Sequence, residues 1–338
     1  MIRSAILGAS GYVGGELLRL LPRHPGIEAT RLFGDSKAGQ KLGAVHPHIG
    51  GTLAALKLER FSPEALDGID LVFAALPHGE SQRWAEAILA SGARLVDLGA
   101  DFRLRDPHVY ATWYGEPHKA PQLLDRFVYG IPELDREAIR SAPAVAAAGC
   151  YPTATILALK PLVDAGLVDP SSLIVDAASG VSGAGRAIKE GTAFNTVDGS
   201  FSAYGLLNHR HTAEMEQALG ATVLFTPHLA PMTRGILATC YANAACDMAA
   251  GEPLEVLRAA YANEPFVRVS DDPPATKWVS GSNGAVVTAR YDPRTRRVLA
   301  LCAIDNLGKG AAGQMVQCAN LMLGLDESAG LTAEGVFP

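Results

Sequence analysis

Ala144-Val-Ala-Ala-Ala-Gly-Cys-Tyr-Pro-Thr153 is the stretch around which the chain is organised. Its small apolar residues predict a buried strand that ends at Gly149, and a helical pattern begins just after Cys150. Pro152 suits the first helical position because proline has no N–H to lose there. Cys150 is therefore expected at a helix N-terminus, where the macrodipole favours a thiolate. We predict that Cys150 is a nucleophile and not an inert buried cysteine.

A glycine-rich turn lies near the N-terminus. Ser4-Ala-Ile-Leu7 predicts a strand, and apolar residues between Val13 and Leu21 recur at helical spacing. The turn between them reads GxxGxxG, a variant of the dinucleotide fingerprint in which a pyrophosphate rests on the helix N-terminus. We predict that the residues of this turn bind the cofactor: Gly8, Ala9, Ser10, Gly11, Tyr12, Val13 and Gly14.

Strands continue to alternate with helices up to Gly149. Apolar runs predict strands at residues 28–33, 71–76 and 95–98. An amphipathic stretch predicts a helix at residues 81–90. The aromatic segment 106–132 reads as a long loop that covers the site or forms a subunit contact. The alternation indicates a doubly wound sheet whose ligands bind beyond the carboxyl ends of the strands. Pro77, Arg103 and Cys150 fall at such ends.

The second half of the chain has a different pattern of secondary structure. Strands without regular intervening helices are predicted at 173–176, 223–226, 236–244, 285–291 and 298–304. A helix at 254–262 joins them, and an apolar helix at 311–323 is expected to pack on the first domain. We predict an α/β protein with a Rossmann-type dinucleotide-binding domain, residues 1–149 plus 311–338. Residues 150–310 form a second α+β domain of mixed or antiparallel sheet with catalytic, substrate-binding and oligomerisation roles.

Composition restricts the class of protein. The chain has 338 residues and a net charge of −6, which argues against nucleic acid as a partner. No apolar run reaches the roughly 20 residues of a membrane helix, and no signal peptide is recognisable. Five cysteines without regular spacing fit a reducing compartment. We expect a soluble cytoplasmic protein that needs no metal.

Two histidines and a carboxylate stand together at a predicted helix start, as His209-Arg-His211 with Glu214 three residues on. Histidine is the side chain best suited to move protons near neutral pH. An isolated HxH is more often a polar surface turn, but a nucleophile elsewhere in the chain favours an acid–base role. Metal ligation by this pair, or by His46 and His48, lacks a third ligand at recognisable spacing.

Arginines in two glycine-flanked loops are candidates for holding anions. The first loop, Ser179-Gly-Val-Ser-Gly-Ala-Gly-Arg186, can pass close to a cofactor while its arginine binds an oxyanion. The second places Arg234 at the head of a strand. These are better candidates than the arginines of 294–297, which read as a solubilising hairpin turn.

The chain resembles the N-acetyl-γ-glutamyl-phosphate reductase family of the aspartate-semialdehyde dehydrogenase superfamily. The resemblance spans the whole chain, with the blocks in the family's order: Gly8-Ala-Ser-Gly-Tyr-Val-Gly14, Asp101-Phe-Arg-Leu104, Gly149-Cys-Tyr-Pro-Thr153, Ser179 to Arg186, His209-Arg-His211 with Glu214, Thr226-Pro-His-Leu-Ala-Pro-Met-Thr-Arg-Gly235, and Asn306-Leu-Gly-Lys-Gly-Ala-Ala-Gly-Gln314. The chain departs from the family at Ala148, usually proline, and at Val13, usually threonine.

The resemblance implies an arginine-biosynthetic enzyme that reduces a small acyl phosphate with NADPH. The implied route is attack by Cys150, loss of phosphate, reduction of the thioester, and release of the aldehyde as a histidine takes a proton. It implies a homo-oligomer, dimer or tetramer, and three groups of site residues. The catalytic residues are Cys150, His211, His209 and Glu214. The remaining cofactor residues are Ser36, Lys37, Pro77, Ser179, Gly180, Ser182, Gly183 and Asn306. The substrate residues are Arg103, Arg186 and Arg234.

Two arguments conflict over the cofactor. Asp35 stands where an acidic residue bonds the ribose 2′-hydroxyl of NAD. Ser36 and Lys37 follow at once and can donate to the 2′-phosphate of NADP. We predict NADP, provided that Asp35 turns outward.

Other functions compete with this one. Aspartate-semialdehyde dehydrogenase and a carrier-linked aminoadipyl-phosphate reductase share the chemistry with another acyl chain. A cysteine hydrolase needs no dinucleotide, and a non-catalytic dinucleotide sensor has no use for Cys150.

Overall fold

The computed structural model describes residues 1–337. In chain order the strands are β1 (Ile2–Leu7), β2 (Ile27–Phe33), β3 (Leu71–Ala74), β4 (Arg94–Asp97), β5 (Phe127–Gly130), β6 (Ala144–Ala147), β7 (Leu173–Ser179), β8 (Ser202–Ala203), β9 (Val223–Leu229), β10 (Ile236–Asn243), β11 (Val267–Val269), β12 (Ala285–Asp292) and β13 (Arg297–Ile304). The helices are α1 (Tyr12–Leu20), α2 (Leu42–Val45), α3 (Gly51–Ala55), α4 (Ser81–Ala90), α5 (Pro107–Tyr114), α6 (Pro132–Ser141), α7 (Cys150–Asp164), α8 (Phe194–Val197), α9 (His211–Leu219), α10 (Glu252–Ala260) and α11 (Gly313–Met322). Over residues 1–337, no helix is both long and apolar enough to span a bilayer.

The chain divides into two units. The first comprises Met1–Ala148 and Ala311–Leu331, and the second comprises Gly149–Gly310 and residues 332–337. The sequence interpretation placed residues 311–338 with the first unit; the structure places Ala311–Leu331 there and residues 332–337 with the second unit. The reason is backbone pairing, since Asn283 N–H donates to Thr332 O and Val336 N–H donates to Ser280 O, both at 2.8 Å.

The first unit is built on a parallel sheet in the order β2-β1-β3-β4-β6-β5. Side chains alternate between its two faces, so Ile6 and Phe73 pack in the core that includes α1 and α11, while Leu7 and Val72 pack in the core that includes α4. Burial on both faces explains why the strands read as near-continuous apolar runs. The doubly wound architecture predicted from the alternation is confirmed.

The prediction of a long irregular loop over residues 106–132 is wrong. The segment contains α5 and β5. Asp106 caps α5 by accepting a 2.7 Å hydrogen bond from His108 N–H, and Pro107 occupies the first helical turn. Phe127 at the start of β5 stacks on Phe102 at 3.9 Å between ring centroids. An Asp-Pro helix start and a four-residue strand are short signals, and the surrounding prolines and aromatics hid them.

The second unit is built on a mixed sheet in the order β11-β12-β13-β10-β7-β9-β8. The pairs β11–β12 and β7–β9 are parallel, and the other pairs are antiparallel. Along β7 and β10 every second residue is fully buried, while the residues between them are only half-buried. Helices α7, α9 and α10 cover one face. The predicted mixed sheet is confirmed.

Candidate active site

The glycine-rich turn of the first unit connects β1 to α1. Gly8 has φ +80°, and a Cβ there would lie 2.2 Å from Ala75 O. A Cβ at Gly14 would lie 2.5 Å from Gly8 O. Gly11 is the N-cap of α1 and offers no side chain to the N–H groups of the first turn. The turn is thus a close-packed cradle with helix N–H groups at its mouth, which fits a dinucleotide pyrophosphate.

The predicted ribose-binding residues follow β2. Asp35, Ser36 and Lys37 form a 3₁₀ turn in which all three are exposed. The Asp35 side chain is 92% exposed and lies 3.7 Å from the Arg60 guanidinium. Asp35 therefore turns outward, as the NADP argument required, and Arg60 is a cation that the sequence analysis missed.

A buried polar cluster lies after β3 and β4 of the first unit. Asp101 is fully buried and accepts hydrogen bonds from the N–H groups of Gly79 and Gln82 at 2.9 and 3.3 Å. These two hydrogen bonds fix the turn that follows Pro77. Arg103 is 5% exposed and donates to Leu98 O at 2.6 Å. The predicted contact of Arg103 with substrate stays a prediction.

Asp97 at the end of β4 is also fully buried. Ser81 Oγ and Gly99 N–H donate to its Oδ1 at 2.7 and 2.9 Å. Burial nevertheless raises the pKa of Asp97 to about 7. Because the folded pKa lies above the unfolded value, this group stabilises the fold most when protonated, below about pH 4. That contribution is lost as the pH rises toward 7.

Asp97→Asn removes the ionisation and keeps an oxygen acceptor. We expect the melting temperature of Asp97→Asn minus that of the wild type to increase from pH 5 to pH 8. Over this range the free energy of unfolding of the variant should gain on the order of 3 kcal/mol relative to the wild type. Thermal melts of both proteins across this range measure the difference, with the exposed Asp67→Asn as control. A difference that stays constant with pH would contradict a raised pKa at Asp97.

Cys150 opens α7 in the second unit. The helix begins at Cys150 itself, so Pro152 lies within the first turn and not at the first position. Gly149 O accepts hydrogen bonds from Thr153 N–H and Oγ1, both at 2.9 Å. A Cβ at Gly310 would lie 2.8 Å from the Cys150 Cβ, so only glycine fits behind the nucleophile. The thiol is half-buried, unlike the buried Cys240, Cys302 and Cys318.

The predicted acid–base residues gather around Cys150's neighbour, Tyr151. The Tyr151 ring lies 5.5 Å from the His209 ring and 6.0 Å from the His211 ring, measured between centroids. Glu214 is fully buried, and its Oε2 accepts a 3.0 Å hydrogen bond from Gly149 N–H. Its Oε1 lies 3.8 Å from His211 Nε2. One carboxylate therefore joins the histidine pair to the residue before the nucleophile.

The two histidines differ in their environment. Burial, with the nearby His211 second, lowers the pKa of His209 to about 3, so its ring is neutral. His209 Nδ1 accepts a 3.2 Å hydrogen bond from His211 N–H, which assigns the proton to Nε2. The His211 side chain is 21% exposed and faces the Glu214 carboxylate. The geometry favours His211 as the group that exchanges protons.

Sequence reasoning missed a pair of tyrosines beside Cys150. Tyr204 Oη donates to Tyr151 Oη at 3.0 Å, and Tyr151 Oη donates to His228 O at 3.1 Å. Tyr204 is 39% exposed as a residue, but desolvation of its hydroxyl raises the pKa of Tyr204 to about 12, and a negative charge on Cys150 adds to the effect. Both hydroxyls stay protonated. Tyr151 could have been noticed as the neighbour of Cys150, but nothing in the sequence marks Tyr204.

Asp305, which sequence reasoning also missed, organises the loop behind Cys150. It is fully buried and accepts hydrogen bonds from Leu307 N–H at 2.8 Å and from Gly308 N–H at 3.0 Å. Arg234 donates to it through Nε at 2.9 Å and through Nη2 at 3.1 Å. Gly310 N–H donates to Asp305 O at 2.9 Å. Arg234, predicted to bind substrate, therefore also holds this loop.

The candidate cofactor residues of the second unit pack around the same loop. Asn306 accepts from Gly235 N–H at 2.7 Å and donates to Ser182 Oγ at 2.9 Å. A Cβ at Gly180 would lie 2.7 Å from Thr233 O. The structure thus brings together Ser179, Gly180, Ser182, Gly183 and Asn306. Arg186, at the end of their loop, is exposed.

Clusters suited to a metal ion do not occur within residues 1–337. The His46 and His48 rings lie edge to face with their centroids 5.7 Å apart.

Comparisons with known proteins agree with this architecture. Residues 3–142 match the family model described as semialdehyde dehydrogenase, NAD binding domain, and residues 150–306 match the one described as semialdehyde dehydrogenase, dimerisation domain. Aspartate semialdehyde dehydrogenase II from Vibrio cholerae superposes with a TM-score of 0.72 at 18% identity, covering 96% of this chain and 98% of that one. A structure of aspartate semialdehyde dehydrogenase with NADP from Candida albicans gives 0.69 at 16% identity, over 96% and 98%. The fold is that of a semialdehyde dehydrogenase with a nicotinamide-dinucleotide domain.

Sequence relatives define the family more narrowly. N-acetyl-γ-glutamyl-phosphate reductases from Symbiobacterium thermophilum, Desulforudis audaxviator and Rhodospirillum rubrum are 50%, 49% and 47% identical. Each alignment covers 100% of this chain and 99% or 100% of the relative. The chain belongs to the N-acetyl-γ-glutamyl-phosphate reductase family, as the sequence motifs predicted.

Proposed function

We propose that the protein reduces N-acetyl-γ-glutamyl phosphate to N-acetylglutamate γ-semialdehyde with NADPH, a step of arginine biosynthesis. The observation that carries the proposal is the chain of contacts from Cys150 at the start of α7, through Gly149, to Glu214 and His211. These contacts join a nucleophile to an acid–base pair. The identity of the acyl group is inferred from membership of the N-acetyl-γ-glutamyl-phosphate reductase family. We assign Arg186 and Arg234 to the anionic parts of the substrate.

Each chemical step uses a group of this chain. The Cys150 thiolate attacks the acyl carbon, the carbon–oxygen bond to phosphate breaks, and a thioester remains. When bound, the reduced nicotinamide supplies a hydride. His211 donates a proton to the developing alkoxide and takes it back as the carbon–sulfur bond breaks, which releases the aldehyde and restores the thiolate. Glu214 is too deeply buried to touch the substrate, so it orients His211 and fixes Gly149.

The residues of the first unit fit the cofactor. Gly8, Gly11 and Gly14 leave room for a pyrophosphate at the start of α1. We therefore assign this turn to the pyrophosphate of the cofactor. For the adenosine 2′-phosphate we propose Ser36 and Lys37, because Asp35 points to solvent beside Arg60.

Lys37→Glu tests the preference for NADP. The substitution replaces an attractive charge by a repulsive one next to the 2′-phosphate, so kcat/KM for NADPH should fall by about tenfold or more while the value for NADH changes little. Steady-state kinetics with both cofactors give the ratio. Lys160→Glu, which alters an exposed pair on α7, is the matched control. Equal use of NADH and NADPH by the wild-type enzyme would identify Asp35 as the ribose-binding residue.

The protein is further proposed to act as a homo-oligomer, a dimer or tetramer. The support is the family model for residues 150–306, described as a dimerisation domain, together with the half-buried face of its sheet. A second copy of the chain would cover the apolar side chains of that face, Ile174, Leu237 and Tyr241. Sedimentation of the wild-type protein and of Leu237→Arg tests this; a monomeric wild type would refute it.

Reaction of the purified chain in the reverse direction decides the substrate. N-acetylglutamate γ-semialdehyde, phosphate and NADP⁺ should produce NADPH absorbance that depends on all three. Aspartate β-semialdehyde is the comparison substrate. Equal rates with both aldehydes would point to a reductase of broader specificity, and no reaction with either would overturn the proposal.

A further inference from the structure

His46 is a buried histidine that the mechanism does not use. It follows α2 in the first unit and is 4% exposed. Its Nε2 lies 2.8 Å from Ala9 O, inside the glycine-rich turn. A carbonyl oxygen only accepts, so His46 Nε2 carries the proton and donates it to Ala9.

The His46 ring also explains a glycine outside the fingerprint. A Cβ at Gly15 would lie 2.6 Å from His46 Cε1 and 2.8 Å from its Nδ1. Gly15 therefore leaves space on α1 for the imidazole to reach Ala9. The turn and this histidine form one packed unit.

The hydrogen bond fixes the direction of a peptide group. Ala9 N–H donates to Phe33 O at 2.9 Å, which holds the residue on one side. Ala9 C=O and Ser10 N–H share one planar trans peptide and point in opposite directions. By holding the carbonyl toward itself, His46 turns the Ser10 N–H away from itself. Main-chain N–H groups of such turns are the donors that a dinucleotide pyrophosphate accepts from.

We infer that His46 is a positioning residue for cofactor binding, which aims the Ser10 amide at the pyrophosphate of the dinucleotide. The inference rests on the cofactor assignment of the proposed function. His46 contacts neither the substrate nor Cys150 in this scheme, so it should affect the binding of the cofactor and not the chemical step.

A pair of variants of similar size separates the hydrogen bond from packing. His46→Gln keeps an N–H donor at nearly the place of Nε2, whereas His46→Met fills similar volume without a donor. We expect His46→Met to raise the Kd for NADPH about tenfold and His46→Gln to raise it less than about threefold. At saturating NADPH, kcat should match the wild type in both. The exposed His48→Met is the control and should bind NADPH normally.

A fragment shows whether the effect passes through the pyrophosphate. Fluorescence titration measures NADPH binding, and displacement measures the affinity for 2′-AMP, which has the 2′-phosphate but no pyrophosphate. His46→Met should weaken only NADPH. If that variant does not fold, His46→Asn, whose amide is too short to reach Ala9, takes its place with the same expectation.

The outcomes are distinct. Equal NADPH affinity of the Met and Gln variants, or an equal loss of affinity for 2′-AMP, overturns this inference alone. A fall in kcat at saturating NADPH with unchanged Kd also overturns it. A wild-type protein that does not bind NADPH overturns the proposed function and this inference with it.

Discussion

Cys150→Ser is expected to lower kcat for the reductase reaction by on the order of 10³-fold or more. A serine hydroxyl stays protonated near neutral pH, and the N-terminus of α7 alone does not ionise it, whereas the same position favours a thiolate. NADPH affinity should change by less than a few fold, because the glycine-rich turn belongs to the first unit.

Initial rates and NADPH titration of the Cys150→Ser protein test both parts of this expectation. The exposed Cys246 provides the matched control, since Cys246→Ser should retain wild-type activity. A Cys150→Ser protein that keeps more than roughly a tenth of the wild-type kcat would contradict covalent catalysis by Cys150.

His211→Asn is expected to lower kcat by about 10²–10⁴, the range typical of general acid–base catalysis. His209→Asn should lower kcat by a smaller factor. The low pKa of His209 keeps its ring neutral, and its Nδ1 already accepts a hydrogen bond from the main chain. The His211 side chain is 21% exposed, and its Nε2 lies 3.8 Å from Glu214 Oε1, so a carboxylate faces the imidazolium that forms as the proton moves.

Single-turnover rates of the two variants give the ranking without interference from product release. Glu214→Gln is the companion variant: it keeps an acceptor for Gly149 N–H and removes the charge, so it should fall between wild type and His211→Asn. If His209→Asn loses more activity than His211→Asn, His209 is the acid–base group and the assignment is reversed.

Local patterns predicted much of the fold. The N-terminal strand, glycine turn and helix lie between Ile2 and Leu20. The strand is an apolar run because a parallel sheet buries both of its faces, and the helix has apolar residues at helical spacing because one of its faces is buried. The four-residue β5 carries too little periodicity to be recognised. Its stacking partner Phe102 is distant in sequence, so only the folded chain shows why Phe127 is there.

Some features of the candidate site are visible in the sequence, and others appear only in the folded chain. The spacing of His211 and Glu214 on one helix face is visible in the sequence, and so is the position of Cys150 before a helix. The bond from Glu214 to Gly149 joins residues 65 positions apart and could not be predicted from either segment. Asp305 and Tyr204 are likewise defined only by the partners that the fold brings to them.

Trapping the acyl-enzyme shows directly whether the reaction passes through a thioester at Cys150. The protein is mixed with N-acetyl-γ-glutamyl phosphate in the absence of NADPH, quenched in acid, digested, and analysed by mass spectrometry. We expect an N-acetylglutamyl group on the peptide that contains Cys150, its loss when NADPH is added before the quench, and its absence in Cys150→Ser. An enzyme that is active yet carries the acyl group on another residue, or on none, would contradict a thioester at Cys150.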